Sequence, residues 1–224
     1  KVARNTLYYT IGTVPTTMAL ALGVALLFDR KIRGSHIYRT FFFAPTITST
    51  VAISIVWLWL YDPSYGPINY FLRIVGITGP NWLGDPRWAM PAVIIMSVWK
   101  DLGYAAVIFF AGLQNVPHEL YEAAKIDGAG AIDRFRYVTW PSLLPTTFFL
   151  LITSIISSFQ VFDRVFILTN GGPINSTNVV VFYLYNKAFR LFEMGYGASV
   201  AYLLFGVILL VTIIQWRLMD RYAY

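Results

Sequence analysis

The most unusual chemical groups in this sequence are ionisable side chains placed inside long apolar runs. Lys100 and Asp101 interrupt the run at 88–113, and Asp163 and Arg164 lie near the end of the run at 142–168. Charged groups at bilayer depth are costly, so by default they face a cavity or a partner rather than lipid. Such groups can line a solute path, relay ions or serve packing alone, and for Lys100 the sequence leaves these uses open.

Residue types needed for enzymatic catalysis are scarce. The sequence has no cysteine, and its two histidines, His36 and His118, lie in predicted loops. This excludes thiol nucleophiles, Cys-ligated metals and a three-histidine metal site. The segment 127–130 carries glycines but lacks the spaced Gly-Lys-Ser/Thr of a phosphate-binding loop. We therefore expect no cofactor or metal in this chain, and any ATP chemistry must come from a partner.

The composition places these residues in a membrane. The chain has 57% apolar, 17% aromatic and only 12% charged residues, with a mean hydropathy of +0.60, which is too apolar for an ordinary soluble domain. Five runs are long enough to cross a hydrocarbon layer of roughly 30 Å at about 1.5 Å per residue. We predict an all-α, polytopic bundle forming one domain over 1–224, with spans at about 6–28, 37–61, 88–113, 142–168 and 198–216.

Three irregularities divide these runs further. Pro45 predicts a kink in the second span, where the freed carbonyl must be satisfied by threonine hydroxyls or neighbouring helices. The turn-rich segment from Asp62 to Pro86 predicts an external connection with a short amphipathic helix at 68–75. The stretch at 179–219 is too long for one crossing, so we divide it into an external interfacial helix at about 180–192, a glycine hinge at 195–197 and the last span.

The stretch at 116–141 is the one long segment that is both charged and patterned. Pro117 suits the first helical position, and Glu119 in the first turn is favoured by the helix dipole. Gly128 and Gly130 permit an exit with positive φ, after which a second segment at 131–138 can fold back. The pattern predicts a small helical hairpin standing out of the bilayer.

The order of residues in this stretch resembles the EAA loop of ABC importer permeases. The family pattern is EAA, three residues, Gly, nine residues and I-x-L-P, and this sequence has Glu122-Ala123-Ala124, Gly128 and Val138-Thr139-Trp140-Pro141. Valine replaces the usual isoleucine, and tryptophan replaces the usual leucine. The flanking runs are similar to the carbohydrate-uptake branch, which includes the maltose transporter membrane subunits: GLQNVPHELYEAAKIDGAG, SVWKDLGY, FQVFDRVFILTNGGP and FRLFEMGYGAS.

The resemblance implies a permease subunit of a sugar importer that works by alternating access. Its cytoplasmic loop at 114–141 would enter a groove of an ATPase subunit through Glu122, Ala123, Ala124, Asp127 and Gly128. The implied partners are a second, nonidentical permease subunit, two ATPase subunits that bind ATP and Mg²⁺, an extracytoplasmic substrate-binding protein, the carbohydrate and membrane lipid, without nucleic acid. Relatives commonly have six core spans, so we expect a first helix upstream of Lys1.

Sugars are held by polar groups and aromatic faces. The substrate-path candidates that combine these properties are Trp57, Trp99, Lys100, Tyr104, Gln160 and Asp163.

Orientation follows from the basic residues at the span ends. A dense group at Arg30, Lys31, Arg33 and Arg39 adds to the basic residues of the loop at 114–141 and favours that side as cytoplasmic. The five spans then run from an outside N-terminus to an inside C-terminus, in a prokaryotic plasma (inner) membrane.

Other functions remain open at this point. The same family includes permeases for glycerol phosphate esters, and an autonomous secondary transporter or channel could use Lys100, Asp101 and Asp163 as an ion relay. A third class is an integral-membrane enzyme with an aspartate site on a loop.

Overall fold

The structure is a computed structural model that describes residues 1–29 and 35–222, and this described part consists of helices and turns without a strand. The predicted all-α class is therefore confirmed. Two π-helical turns, Phe135–Thr139 and Asn186–Arg190, are joined to α-helices. The α-helices, in chain order, are α1 (Val2–Asp29), α2 (Ser35–Ile47), α3 (Thr50–Leu60), α4 (Pro67–Ile74), α5 (Ala89–Gln114), α6 (His118–Ile126), α7 (Ala131–Arg134), α8 (Trp140–Phe159), α9 (Asp163–Leu168), α10 (Val180–Tyr185) and α11 (Met194–Tyr222).

Four continuous helical segments of the described chain are long and apolar enough to cross a membrane: Val2–Phe28, Ala89–Gln114, Ala131–Phe159 and Met194–Met219. A fifth crossing is possible where Arg39–Ile47 and Thr50–Leu60 form a pair bent by 105°. This agrees with a multi-span bundle. The orientation of the spans stays a prediction, and Arg30, Lys31 and Arg33, on which it partly depends, lie outside the described residues.

Helices α1, α5 and α8 form the centre of the bundle. At one end, the Tyr9 hydroxyl donates to Ser97 Oγ at 2.9 Å, and at the other the rings of Phe28 and Phe110 meet edge to face. Because the early parts of α1 and α5 contact each other and so do their ends, the two helices run parallel. Helix α8 runs antiparallel to both, because Ser158 near its end bonds to Thr10 near the start of α1.

The core is divided into two clusters along these helices. The first lies around the beginnings of α1 and α5 and includes Tyr9, Met96 and Val165, all nearly inaccessible to solvent. The second lies towards the end of α5 and includes Ala21 and Ala106. Small side chains let helix backbones approach closely. In a membrane this close van der Waals packing holds helices together, because burial of apolar surface away from lipid contributes little.

The second predicted span is broken rather than kinked. Helix α2 continues through Pro45 and ends at Ile47, and α3 begins at Thr50 after a sharp turn. The prediction of a bend at Pro45 was therefore wrong by a few residues. Near the end of α2 the Thr48 hydroxyl donates to the Ala44 carbonyl oxygen at 3.0 Å. The carbonyl that Pro45 frees is that of Phe41, four residues earlier, so the prediction for that carbonyl stays a prediction.

Lys100 explains how this break is tolerated within the bundle. Its side chain is buried, and Nζ donates to the carbonyl oxygens of Pro45 at 3.1 Å and Thr48 at 2.9 Å. In return, Thr46 Oγ1 donates to the Lys100 carbonyl at 3.3 Å. The end of a helix leaves carbonyls unpaired and carries partial negative charge, so an ammonium group there satisfies both needs.

Helix α5 is continuous through the polar interruption at Lys100 and Asp101. One turn further along, α2 crosses it at Gly103, where a Cβ atom would clash with the carbonyl oxygen of Phe42. The glycine at this position permits the close approach that also brings α2 within reach of Lys100.

The fourth predicted span, at 142–168, is two helices. Helix α8 ends at Phe159, and the chain turns before the short helix α9 starts at Asp163. At the other end, α7, the π-helical turn and α8 form one continuous helical segment from Ala131 to Phe159. The segment predicted at 131–138 is thus the beginning of a span rather than a separate arm.

The elements predicted to be external follow the sequence prediction with one correction. Helix α4 occupies Pro67–Ile74, close to the predicted 68–75. Helix α10 and its π-helical turn end at Arg190, and the chain then reverses at Phe192, which has a φ of 57°. The predicted hinge at 195–197 is wrong, because these residues are inside α11.

The contacts of the reversal explain its position. Lys187 Nζ lies 3.0 Å from the Glu193 carboxylate across the turn, and this hydrogen bond raises the pKa of Lys187. Gly197 lets α11 pass close to Ala188, whose Cβ would be 2.7 Å from an added Cβ. Gly197 therefore serves close packing within a helix and not flexibility.

We expect Gly103→Ala to lower the stability of the solubilised protein, because α2 must move away from α5. Overpacking of this kind costs about 1–3 kcal/mol, so the unfolding temperature should fall by several degrees. Gly23→Ala is the matched control, since a Cβ at Gly23 meets nothing within 4 Å. Equal unfolding temperatures for the two variants would contradict the proposed close crossing.

We expect Lys100→Met to destabilise the protein, because methionine has a similar length but cannot donate to the carbonyls of Pro45 and Thr48. Leaving a buried polar group unpaired costs about 1–3 kcal/mol, measurable as a lower unfolding temperature. Lys125→Met is the control, because Lys125 is exposed on α6. A Lys100→Met protein as stable as this control would show that the ammonium does not support the break.

Candidate coupling loop and translocation cavity

The Glu122-Ala123-Ala124 motif lies on α6, which connects two of the spanning helices. Pro117 is the residue just before the first helical turn, one position earlier than predicted, and its carbonyl accepts from the Leu120 N–H at 3.2 Å. Glu119 lies in the first turn and Lys125 in the last, which matches each charge to the helix dipole. The sequence therefore favours a helix here even without tertiary packing.

Gly128 ends this helix in a specific way. It has a φ of 81°, its N–H donates to the Lys125 carbonyl at 3.1 Å, and the Ala129 N–H donates to the Ala124 carbonyl at 2.8 Å. This pair of bonds is the Schellman motif, which needs a left-handed residue at the position of Gly128. The prediction of a positive-φ exit is confirmed at Gly128, whereas Gly130 has a φ of −69°.

No residue of α6 is buried within this chain. Glu122 is exposed, and its Oε1 lies 3.3 Å from Nδ1 of His118 one turn earlier. Around the helix, Ile126 is 87% exposed and Ile132 is 81% exposed. A helix with this much uncovered apolar surface, next to a charged group, is suited to contact another protein.

Helix α6 is hydrogen-bonded to the π-helical turn that precedes α8. The hydroxyls of Tyr121 on α6 and Thr139 in the π-helical turn are 2.9 Å apart, and Thr139 is buried. The helical segment that begins at Ala131 continues into α8, so this contact joins α6 to the segment that contains α8. At the other end, α6 follows α5 after only three residues, Asn115 to Pro117.

A cavity of about 430 Å³ lies where α1, α5 and α8 meet the breaks in the chain. Its lining is rich in hydroxyl groups, which are supplied by α1, α2, α3, α5 and α8. These come from Tyr9, Thr13, Thr17, Thr46, Thr50, Tyr104, Thr153, Ser154, Ser157 and Ser158.

The predicted substrate-path residues separate into two groups. Tyr104, Gln160 and Asp163 line the cavity. Lys100 does not line it and instead bonds to the broken helix, as described above. Trp57 and Trp99 also lie outside the lining, and their rings pack edge to face at 5.5 Å.

The strongest electrostatic feature of the cavity joins α5 to α9. Arg164 donates through Nη1 and Nη2 to the two carboxylate oxygens of Asp101, at 2.7 and 2.6 Å, and Nη1 also donates to the Tyr9 hydroxyl at 3.2 Å. Bidentate pairs of this kind fix geometry as well as charge. The sequence marked both residues as unusual but did not pair them, because they are 63 positions apart.

The threonines and serines of the lining were also missed as cavity residues. A detectable signal was present, because hydroxyl residues recur one turn apart on α1 at Tyr9, Thr13 and Thr17, and on α8 at Thr153 and Ser157. Residues four apart share a face of a helix. Whether such a face points to the cavity, to another helix or to lipid depends on how the helices pack.

Curated relatives match almost the whole chain. The lactose transport system permease protein LacF of Rhizobium radiobacter is 38% identical over 220 residues, covering 95% of this chain and 73% of the relative. The trehalose/maltose permease MalF of Thermococcus litoralis is 34% identical, with 95% of this chain and 72% of the relative covered. The sn-glycerol-3-phosphate permease UgpA of Agrobacterium fabrum is 34% identical, with coverage of 96% and 74%.

Solved structures show the same fold. A bacterial ABC transporter involved in the import of the acidic polysaccharide alginate superimposes with a TM-score of 0.89 over 98% of this chain and 78% of that chain, at 21% identity. The alginate transporter in complex with an alginate pentasaccharide-bound periplasmic protein gives a TM-score of 0.86 at 21% identity, over 99% of this chain and 78% of that chain.

Residues 17–222 match the family model described as binding-protein-dependent transport system inner membrane component. With the exposed loop helix, the spanning bundle and the identities to curated permeases, this match shows that the chain belongs to that family, as a multi-pass membrane permease component of ABC importers that is not itself catalytic.

Proposed function

We propose that this chain forms half of the translocation pathway of an ATP-driven importer for sugars. The observation that carries the proposal is the cavity, whose ten hydroxyl-bearing side chains come from several helices. Hydroxyl groups both donate and accept, so a set of them can exchange hydrogen bonds with the hydroxyls of a sugar in several orientations. Tyr104 and Phe162 add aromatic surface to the lining. The sugar-transporting relatives LacF and MalF agree with this substrate class.

Energy for transport enters, in this proposal, through α6. An ATPase subunit on the cytoplasmic side would cover the exposed side chains of Leu120, Ile126 and Ile132, and a basic residue of that subunit would bind Glu122. Ala123 and Ala124 allow close approach, Asp127 ends the helix, and Gly128 makes the turn. ATP and Mg²⁺ would be bound by two such ATPase subunits and not by this chain.

The remaining partners complete the pathway. A second permease subunit would close the open side of the cavity, and a substrate-binding protein would deliver the sugar from outside a prokaryotic inner membrane. The alginate transporter with its periplasmic protein supports the last partner by analogy of fold. Alternating access would turn the cavity outward when the ATPase subunits close.

A permease for glycerol phosphate esters is the second candidate. The observation that favours it is a groove of about 580 Å³ near the start of α1, lined by Lys1, Arg4 and Arg87 among others. Basic groups there would suit an anionic solute or its carrier. The UgpA relatives agree with this possibility.

Isolation and reconstitution of the complex test the proposed function. We expect the tagged chain to co-purify with an ATPase subunit, and vesicles containing the assembled complex to take up a neutral disaccharide only with ATP and binding protein. Uptake of solute by the lone chain along a proton or sodium gradient would support an autonomous transporter and contradict the proposal.

We expect Glu122→Lys to abolish ATP-coupled uptake while the protein remains in the membrane, because the charge that would bind the ATPase subunit is reversed. His118→Ala is the control, since it removes only the partner of Glu122 within this chain. Normal uptake by the Glu122→Lys variant would rule out a coupling role for this residue.

We expect Gly128→Ala to weaken the association with the ATPase subunit severalfold, because a side chain in the left-handed region costs about 1–2 kcal/mol and distorts the end of α6. Gly130→Ala is the matched control, because Gly130 has an ordinary φ of −69°. Association is measured by the amount of ATPase retained on the tagged complex. Equal retention by both variants would show that the Schellman turn is not needed for assembly.

A further inference from the structure

The cavity at α1, α5 and α8 carries few ionisable groups, and their arrangement is informative. Its lining contains two carboxylates, Asp101 and Asp163, and one guanidinium, Arg164. With both acids ionised, the sum of these charges is −1. Lys100, the next residue to Asp101, does not line the cavity, because its ammonium group is bound to the carbonyls at the end of α2.

The one cation of the lining is already occupied. Both terminal nitrogens of Arg164 are bonded to Asp101, and its side chain is only 15% exposed. Nη1 also donates to Tyr9. An anionic solute would have to displace Asp101 before it could bind this guanidinium, and displacement would leave a carboxylate without its partner at the edge of the core.

Asp163 is the exposed charge of the cavity wall. It lies at the start of α9 on the cavity wall, is exposed, and has no ion-pair partner among the described residues. A single charge in a cleft with low-dielectric walls has a longer reach than the same charge on an open surface. The buried ammonium of Lys100 lies behind the wall, close enough to interact with Asp101 and Arg164, and it weakens the negative potential of the cavity. Asp163 is nevertheless the exposed charge that a solute in the cavity meets directly.

We infer that this cavity selects uncharged polyhydroxyl solutes and disfavours anionic ones, with Asp163 and the Asp101–Arg164 pair as the residues that determine charge specificity. The inference rests on the proposed function, because it takes the cavity as the substrate path, and it decides between the two candidate substrate classes. The hydroxyl lining accepts a neutral sugar, whereas a phosphate ester or a sugar acid meets repulsion from Asp163. The basic groove near the start of α1 lies outside this cavity. Any effect of that groove on an anionic solute would therefore precede the selection by Asp163.

The charge of the cavity can be measured without knowing the natural substrate. The chain has no cysteine, so a single Ser157→Cys substitution places one thiol of this chain on the exposed part of the cavity wall. The assembled importer in membranes is treated with a cationic trimethylammonium methanethiosulfonate or an anionic sulfonate methanethiosulfonate of similar size. Labelling rates of this chain are divided by the rates of each reagent with a small free thiol.

We expect the normalised rate of the cationic reagent to exceed that of the anionic reagent by about tenfold or more, as fields in charged clefts change encounter rates by such factors. Adding Asp163→Asn should reduce this ratio severalfold. Adding Asp62→Asn, which neutralises a half-exposed carboxylate outside the cavity, should leave it unchanged.

Several results would overturn the inference. One is a normalised rate for the anionic reagent equal to or above that of the cationic one, and another is a ratio that does not respond to Asp163→Asn. If neither Ser157→Cys nor Ser154→Cys reacts with either reagent, the cavity is closed to charged solutes of both signs, which also contradicts selection by Asp163. Failure of ATP-driven sugar uptake would refute the proposed function but would leave these labelling ratios as they are, so the two can be distinguished.

Discussion

Polar groups inside an apolar bundle must find their partners within the protein, because lipid offers them none. Two consecutive residues of α5 meet this constraint in different directions. Lys100 supplies the donors that the broken end of α2 lacks, and Asp101 holds the guanidinium of Arg164. Without the first contact the break would leave bare carbonyls, and without the second the bundle would contain a charge with no counterion.

These two contacts also shape the cavity. The break kept in place by Lys100 brings Thr46 and Thr50, on either side of it, to the cavity wall. The Asp101–Arg164 pair fixes α9 against α5 where α8 has ended. Irregular backbone is tolerated within a membrane where it lines a cavity or is buried in protein. Here the breaks between α2 and α3 and between α8 and α9 lie next to hydroxyl side chains of the lining.

The loop helix and the cavity are mechanically connected because they share the same helices. Helix α5 carries Asp101 and Tyr104 on the cavity wall and leads directly to α6, and the segment after α6 continues into α8, which carries the serines and Thr153. In the proposed coupling, a displacement of α6 would therefore reach two of the helices that line the cavity. The exposed apolar side chains of α6 show where such a force could be applied, since this chain does not cover them.

Composition, local helix signals and the backbone freedom of Gly128 were sufficient to predict the membrane location, the all-α class, the loop helix and its glycine turn. Lys100, Asp101, Asp163 and Arg164 also stood out, because they lie inside apolar runs. The packing of the helices was needed to show that Lys100 binds the end of α2, that Asp163 lines the cavity and that Asp101 binds Arg164. The same packing turns the threonine and serine faces of α1 and α8 towards the cavity. These outcomes depend on which helix faces meet and where helices break, and contacts between residues dozens of positions apart leave no local pattern in a single sequence.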